Sequence, residues 1–451
     1  MIRFIYTAIL YLCVPLILLR LLLRARKAPA YVKRWSERFG FFQKPTWAQA
    51  GVDGIGDGGQ KKIIWLHSVS VGETIAATPL VRRLLNDGGN SEKGGAGGGD
   101  SIRIVITTTT PTGSDQVNKI FQDHIKAKKI FHVYAPYDLP DSIARFLKRI
   151  KPNLLVIMET ELWPNTIAQC DKKEIPVILA NGRLSEKSAR GYQKIQWLIE
   201  KTFSQLSFAA VQHNDDAERM LSLGLKKESC EVTGNIKFDL AIDGETQKTA
   251  ENFKLSLNQT KEHIIWIAAS THKGEDEIIV EAFKAAKASV KNLLLLLVPR
   301  HPERFEDVVM LCRTGGLHTQ QRSHNEILLD NTDVLVGDTM GELLMLLGAS
   351  DITFMGGSLV PVGGHNVIEP AAWGLPILTG PHLFNFSEAS QLLLSQKAMR
   401  VVEGSKQLEE IVVLLAKNEK IRREMGKRAR DVALENRGAL DKLILIIKQK
   451  L

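Results

Sequence analysis

The apolar positions of this chain follow two different rhythms. From Phe4 to Leu19 sixteen residues carry no charge, and Leu21-Leu22-Leu23 follow between two arginines. A run of this length falls short of the ~20 residues that cross a bilayer, and Pro15 interrupts it. A spanning helix, a helix lying in the interface and an amphipathic helix packed on its own domain all fit. From residue 61 onward, short β-rich runs bounded by Gly, Pro, Asn or Thr alternate with longer helical patterns. Ile63–Leu66, Ile102–Ile106, Leu154–Met158, Val177–Ala180 and Phe208–Val211 form one series. Ile264–Ala268, Leu293–Val298, Val334–Val336, Ile352–Met355 and Pro376–Leu378 form a second. Continuous apolar runs, as opposed to strict alternation, mark strands buried on both faces of a parallel sheet. The pattern predicts an α/β chain of two doubly wound units. The segments read as a membrane anchor over 1–26, a first α/β domain over 27–240, a second over 241–430 and a C-terminal helix over 431–451. The charged helical stretch past Lys417 can close the second domain or cross back to the first.

Length and composition narrow this further. At 451 residues the chain is too long for one growing core, and 44% hydrophobic with 24% charged residues is a soluble balance. The four cysteines, Cys13, Cys170, Cys230 and Cys312, form no CxxC pair, so neither a zinc site nor a disulfide framework is expected. Of the net charge of +9, nearly all sits in residues 1–50, where nine Lys/Arg face one acid, Glu37. Beside an apolar run, that excess points to an anionic membrane surface and not to nucleic acid, and it can also guide an anionic lipid substrate. A cleaved signal peptide fits poorly, because most of the charge follows the apolar run. If the run spans, the positive-inside rule leaves the body in the cytoplasm. Gly51–Gln60 and Asn86–Ser101 are glycine-rich and expected to be mobile loops. The GxGxxG at Gly54, Gly56 and Gly59 precedes a strand instead of following one, so it is not a dinucleotide fingerprint.

Ligands of open α/β sheets collect at the carboxyl ends of the strands. The loops there are His67–Glu73, Glu159–Asn165, Asn181–Ser185, Ser270–Lys273, Pro299–Pro302, Gly337–Glu342 and Gly356–Pro370. Ser70-x-x-Glu73, Thr339-x-x-Glu342 and Asn366-x-x-Glu369 each have the spacing of a capping box, which needs no function, yet each opens a helix whose positive end faces the ligand crevice. No Asp-x-Asp, HExxH or GxSxG occurs, so neither a metal-dependent sugar-nucleotide site nor a Ser-His-Asp hydrolase is expected.

These loops resemble, in order and over nearly the whole chain, those of the 3-deoxy-D-manno-octulosonic acid (Kdo) transferases. The resemblance rests on HSVSVGE (His67–Glu73), ETELWPN (Glu159–Asn165), NGRLS (Asn181–Ser185), GNIKFD (Gly234–Asp239) and STHKGE (Ser270–Glu275). It continues in VPRHPERF (Val298–Phe305), GDTMGEL (Gly337–Leu343) and GGSLVPVGGHNVIEPAAWG (Gly356–Gly374). It implies a GT-B architecture, two Rossmann-like domains facing a cleft with acceptor on the first and nucleotide sugar on the second, and an N-terminal anchor. The implied activity is inverting transfer of Kdo from CMP-Kdo to a lipid A precursor (lipid IVA) at the cytoplasmic face of the inner membrane, without metal or cofactor. By position, Glu73 looks like the general base, with Glu159 and Lys237 stabilising the transition state. Pro299, Arg300, Met340, Gly341, Glu342, Asn366, Val367, Ile368 and Glu369 match the CMP-binding segments. Val367 stands where the family usually has Pro, and Gly182 where Ala is usual. Rival expectations are a GT-B transferase with another sugar nucleotide, a tethered two-domain binding protein, and an NAD dehydrogenase, the last opposed by the missing fingerprint.

Overall fold

The computed structural model describes residues 2–26, 29–45, 62–87, 102–240, 242–259 and 262–451. The glycine-rich stretches lie outside these residues, except that Asn86 and Asp87 end a helix. The chain divides into two compact units, Met1–Ile236 with Gly438–Leu451, and Lys237–Arg437.

Unit 1 is a seven-stranded parallel sheet. Its strands are β1 (Ile63–His67), β2 (Arg103–Thr108), β3 (Ile130–Tyr134), β4 (Leu154–Met158), β5 (Val177–Gly182), β6 (Phe208–Val211) and β7 (Cys230–Val232), in the order β3-β2-β1-β4-β5-β6-β7. Unit 2 repeats the design with β8 (Ile264–Thr271), β9 (Leu293–Pro299), β10 (Thr319–Gln321), β11 (Val334–Val336), β12 (Ile352–Met355), β13 (Ile377–Thr379) and β14 (Met399–Val401), ordered β10-β11-β9-β8-β12-β13-β14. The ten apolar runs became the ten inner strands. The four strands that periodicity missed, β3, β7, β10 and β14, are the four sheet edges. An edge strand is paired on one side only and can be short and polar, so Thr319-Gln320-Gln321 and Cys230-Glu231-Val232 carry no buried-strand signal, while in β3, largely buried, His132 interrupts the apolar run.

Helices cover both faces of each sheet, giving each unit two apolar layers. The final helix, Ala439–Lys450, belongs to unit 1, where Leu440, Leu443, Ile444 and Ile447 join the core of β1, β2 and the helix Val71–Asp87.

The N-terminal helix, Ile2–Ala25, is apolar enough by length and composition to cross a membrane, with mean hydropathy 2.2 over an 18-residue stretch of it. It does not stand free of unit 1. Tyr6 donates to Asp138 (3.0 Å), Thr7 to Asn165 (3.1 Å) and Tyr11 to Asp141 (2.6 Å). Farther along, Ile17, Arg20, Leu21 and Arg24 line a cavity with Arg38, Thr109, Thr110 and Tyr137. The opposite stripe, Ile5, Ile9, Leu12, Leu16, Leu19 and Leu23, repeats at three- and four-residue intervals and is exposed. The helix thus docks one face along unit 1 and presents an apolar face outward.

Because Leu443 is fully buried, Leu443→Ala should cost unit 1 about 2–5 kcal/mol, read as an earlier urea transition. An unchanged transition would show that the last helix does not complete that core.

Candidate active site

In unit 1 the candidate residues gather where β1 and β4 end. The loop after β1 turns at Ser68-Val69-Ser70 into the helix Val71–Asp87, and Glu73 lies in its first turn. The Glu73 side chain folds back. One carboxylate oxygen accepts from the Val69 N–H (2.8 Å), the other from Ser70 Oγ (3.0 Å), and Ser70 Oγ in turn accepts from the Glu73 N–H (3.3 Å). This is a capping box shifted by one residue, since the carboxylate satisfies Val69 and not Ser70. Glu73 is only 8% exposed. Burial pushes its carboxyl up to about 7, against the two hydrogen bonds, and the negative charges of Glu159 and Glu161 push the same way.

Glu159 follows β4 in the left-handed region (φ 56°), its N–H bonded to Ala180 O at 2.9 Å. Asn181 in β5 (φ 54°) and Ser270 in β8 (φ 57°) share that conformation. Three non-glycine residues held this way at carboxyl ends of strands mark strain concentrated where ligands bind. Glu161, which the sequence reading passed over, accepts from Trp163 Nε1 (3.1 Å) and shapes the electrostatics of Glu73. His67 closes the floor. Its Nδ1 and Trp65 Nε1 both meet Thr107 Oγ1 at 2.9 Å, and its ring lies edge-on to Trp163. Burial pulls His67 down to about 4, so it is neutral at physiological pH.

Lys237 falls in unit 2, in a 3₁₀ turn spanning Ile236–Asp239. The preceding Ile236 N–H donates to Asn181 Oδ1 (3.1 Å), which pins the start of that turn.

Unit 2 brings the remaining candidates to the ends of β8, β9, β11 and β12. Pro299 ends β9 and Arg300, exposed, donates its N–H to Thr271 O (3.0 Å). Asn366 Oδ1 accepts from Ile368 N (3.1 Å) while its Nδ2 donates to Glu369 (3.1 Å). Burial raises the Glu369 carboxyl, opposed by Asn366 and the positive charge of Arg300, so Arg300 and Glu369 act on one locus. Val367 is buried with φ −78°, a backbone that Pro would also hold. Met340 is exposed, Gly341 has φ 92°, and Glu342 pairs with Arg322 (3.2 Å) and accepts from Thr339. The spacings at Thr339 and Asn366 do not build capping boxes: each bond to the Glu comes from a side chain, and the helices Leu343–Gly348 and Ile368–Trp373 are six residues long.

The organiser of this half is Glu275. Fully buried, it accepts from the N–H groups of His272 (2.9 Å), Gly357 (2.7 Å), Ser358 (2.9 Å) and Leu359 (2.9 Å), fixing the glycine-rich loop. Gly363 has φ 108°, a backbone conformation that side-chain-bearing residues rarely adopt, which favours glycine there. Beside the loop, His272 and His365 share an Nε2···Nε2 contact of 2.8 Å with rings stacked, and His301 packs edge-on to His272. Burial first, then the positive neighbours, pull His365 down to about 4. Among the described residues no group of three His, Cys, Asp or Glu side chains forms a metal cage.

Comparison with known proteins identifies the family of the chain. Residues 33–240 fit the family model of 3-deoxy-D-manno-octulosonic-acid transferase (kdotransferase). The 3-deoxy-D-manno-octulosonic acid transferase of Haemophilus influenzae is 42% identical over 99% of this chain and 98% of its own length. That of Bordetella pertussis is 31% identical over 83% of this chain and 84% of its own. Among solved structures, the UDP-GlcNAc 2-epimerase of Neisseria meningitidis aligns with 86% of this chain and all of its own at a TM-score of 0.56 and 14% identity, a likeness of fold alone. An end-to-end likeness at 42% identity, with the strand-end motifs folded into one site per unit, places the chain in the Kdo transferase family of glycosyltransferases.

Proposed function

We propose that this enzyme transfers Kdo from CMP-Kdo to a sugar hydroxyl of a lipid A precursor (lipid IVA) in lipopolysaccharide core biosynthesis, by a single inverting displacement with Glu73 as general base. The carrying observation is the Glu73 carboxyl, buried, oriented by two donors and raised to about 7. A sugar hydroxyl is a poor nucleophile, and a base with a pKa near the working pH serves best to take its proton as the new bond forms. The hydroxyl oxygen attacks the anomeric carbon, Glu73 takes the proton, and the bond to the phosphate oxygen breaks with its electron pair leaving on CMP. Arg300 and Lys237 are the cations for that developing charge, Glu159 supports the transition state, and Glu369 accepts from ribose hydroxyls. Pro299, Met340 to Glu342 and Asn366 to Ile368 frame the nucleotide. Protein cations and N–H groups do the work here, without a metal. Incubating CMP-Kdo with a tetraacylated lipid A precursor and reading products by mass spectrometry tests the proposal: a gain of Kdo is expected, and preference for another sugar nucleotide would refute it.

We also place the enzyme on the inner membrane with both units in the cytoplasm. The outward stripe Ile5 to Leu23 enters the leaflet while the docked face keeps unit 1 at the surface. The clustered Lys/Arg residues, each worth on the order of 1 kcal/mol near an anionic surface, reinforce it.

Three outcomes follow. Glu73→Gln should lower kcat by at least ~10²-fold with CMP affinity unchanged. In the wild type, kcat/KM should rise as pH passes through about 7, as the base loses its proton, and the variant should lose that rise. The stability sign is equally specific. Since the folded carboxyl titrates near 7 and the unfolded one near 4.5, stability from this group falls as pH climbs between those values. The Tm of Glu73→Gln relative to wild type should therefore improve from pH 5 to pH 8. A pure capping role predicts instead a lower Tm at every pH and near-normal activity. Secondly, turnover should survive exhaustive chelation, and loss with EDTA reversed by a divalent ion would refute the metal-free step. Thirdly, deleting residues 2–26 should release the enzyme from membranes and raise KM for a micellar acceptor far more than it lowers kcat. A truncated enzyme still bound to membranes would move the anchor to another surface.

A further inference from the structure

A cavity of about 300 Å³ opens between the N-terminal helix and unit 1, lined by Ile17, Arg20, Leu21, Arg24, Arg38, Thr109, Thr110 and Tyr137. One of these lining residues, Arg38, is only 4% exposed. One guanidinium nitrogen donates to Thr109 O (2.8 Å) and the group lies over the Tyr134 ring at 4.3 Å, but Nε has no hydrogen-bond partner. Among the described residues no carboxylate pairs with Arg38, because the adjacent Glu37 is taken by Arg34 (2.7 Å). A buried guanidinium without an anion is costly, and the missing counter-charge is the second, independent sign of a ligand. Arg20 and Arg24 approach from the helix side, Thr110 brings a hydroxyl, and the helix Pro111–Ile120 starts at Thr110 with its positive end. This chemistry matches a phosphate monoester, which arginine forks and hydroxyls recognise.

The cavity is tied to the candidate base. Thr109 N–H and Oγ1 both donate to Val69 O (3.3 and 3.1 Å), and Val69 N–H holds the Glu73 carboxylate. One residue, Val69, thus separates the cavity wall at Thr109 from Glu73. The helix that supplies Arg20 and Arg24 also carries the exposed apolar stripe, so the membrane placement proposed above would bring this cavity close to lipid headgroups. Resting on the transferase reading above, we propose that Arg38, with Arg20 and Arg24, binds a phosphate monoester of the lipid acceptor and thereby sets the acceptor sugar against Glu73.

The test is equilibrium binding of phosphorylated lipid A precursor, and of the same lipid after phosphatase treatment, to full-length enzyme in detergent micelles without CMP-Kdo. The wild type should prefer the phosphorylated lipid by at least ~10-fold, the size of one charge-assisted hydrogen bond. Arg38→Gln, and separately the pair Arg20→Gln/Arg24→Gln, should abolish most of that preference while leaving CMP affinity unchanged. The exposed pair decides the matter if Arg38→Gln fails to fold. A wild type indifferent to the phosphate, or variants that lose both lipids equally, would overturn the proposal. So would equal loss of binding to phosphatidylglycerol vesicles, which marks a general headgroup site, or full displacement of the lipid by millimolar inorganic phosphate, which marks a free-phosphate site. A wild type that prefers the phosphorylated lipid yet transfers no Kdo would sink the transferase reading and leave the subsite standing.

Discussion

The bond from the Val69 N–H to the Glu73 carboxylate is where the demands of fold and chemistry meet. A helix N-terminus needs acceptors for its open N–H groups, and a carboxylate there is ordinarily stabilised in its charged form. At this site burial and two neighbouring glutamates act the other way and win, leaving the carboxyl poised near neutrality. The bond fixes the group in place, and the burial makes it basic. Val69 meets Glu73 through its N–H and Thr109 through its carbonyl, which links Glu73 to the arginine-lined cavity beside the N-terminal helix.

Unit 2 uses a buried glutamate for a different purpose. Glu275 accepts from four backbone N–H groups, so its role is to hold the loop from Gly356 to Asn366 in register. With that loop fixed, Asn366 and Glu369 are brought to act with Arg300 across the ends of β9 and β12. One residue type thus accepts two hydrogen bonds in unit 1, at the proposed base, and four in unit 2, where it fixes a loop.

The contrast explains what could be read from sequence. Inner strands such as Leu293–Pro299 announce themselves because burial on both faces forces an unbroken apolar run, whereas edge strands obey no such constraint. The family motifs located the loops that carry Glu73, Glu159, Arg300 and Glu369. They did not reveal Glu275 as the residue that fixes the glycine-rich loop, or Glu161 as a neighbour of Glu73, because both depend on which N–H groups and charges the fold delivers. Arg38 was equally silent: in the sequence it is one of nine basic residues near the anchor, and only its burial without a counter-ion sets it apart.

The most direct measurement is a titration of the Glu73 carboxyl itself. Carboxyl-carbon NMR of enzyme labelled at glutamate, with the Glu73→Gln spectrum subtracted, isolates its resonance. A midpoint near 7 is the predicted result. A midpoint at the ordinary glutamate value near 4.5 would mean that burial does not raise this group, and the assignment of Glu73 as a base tuned by its surroundings would fail.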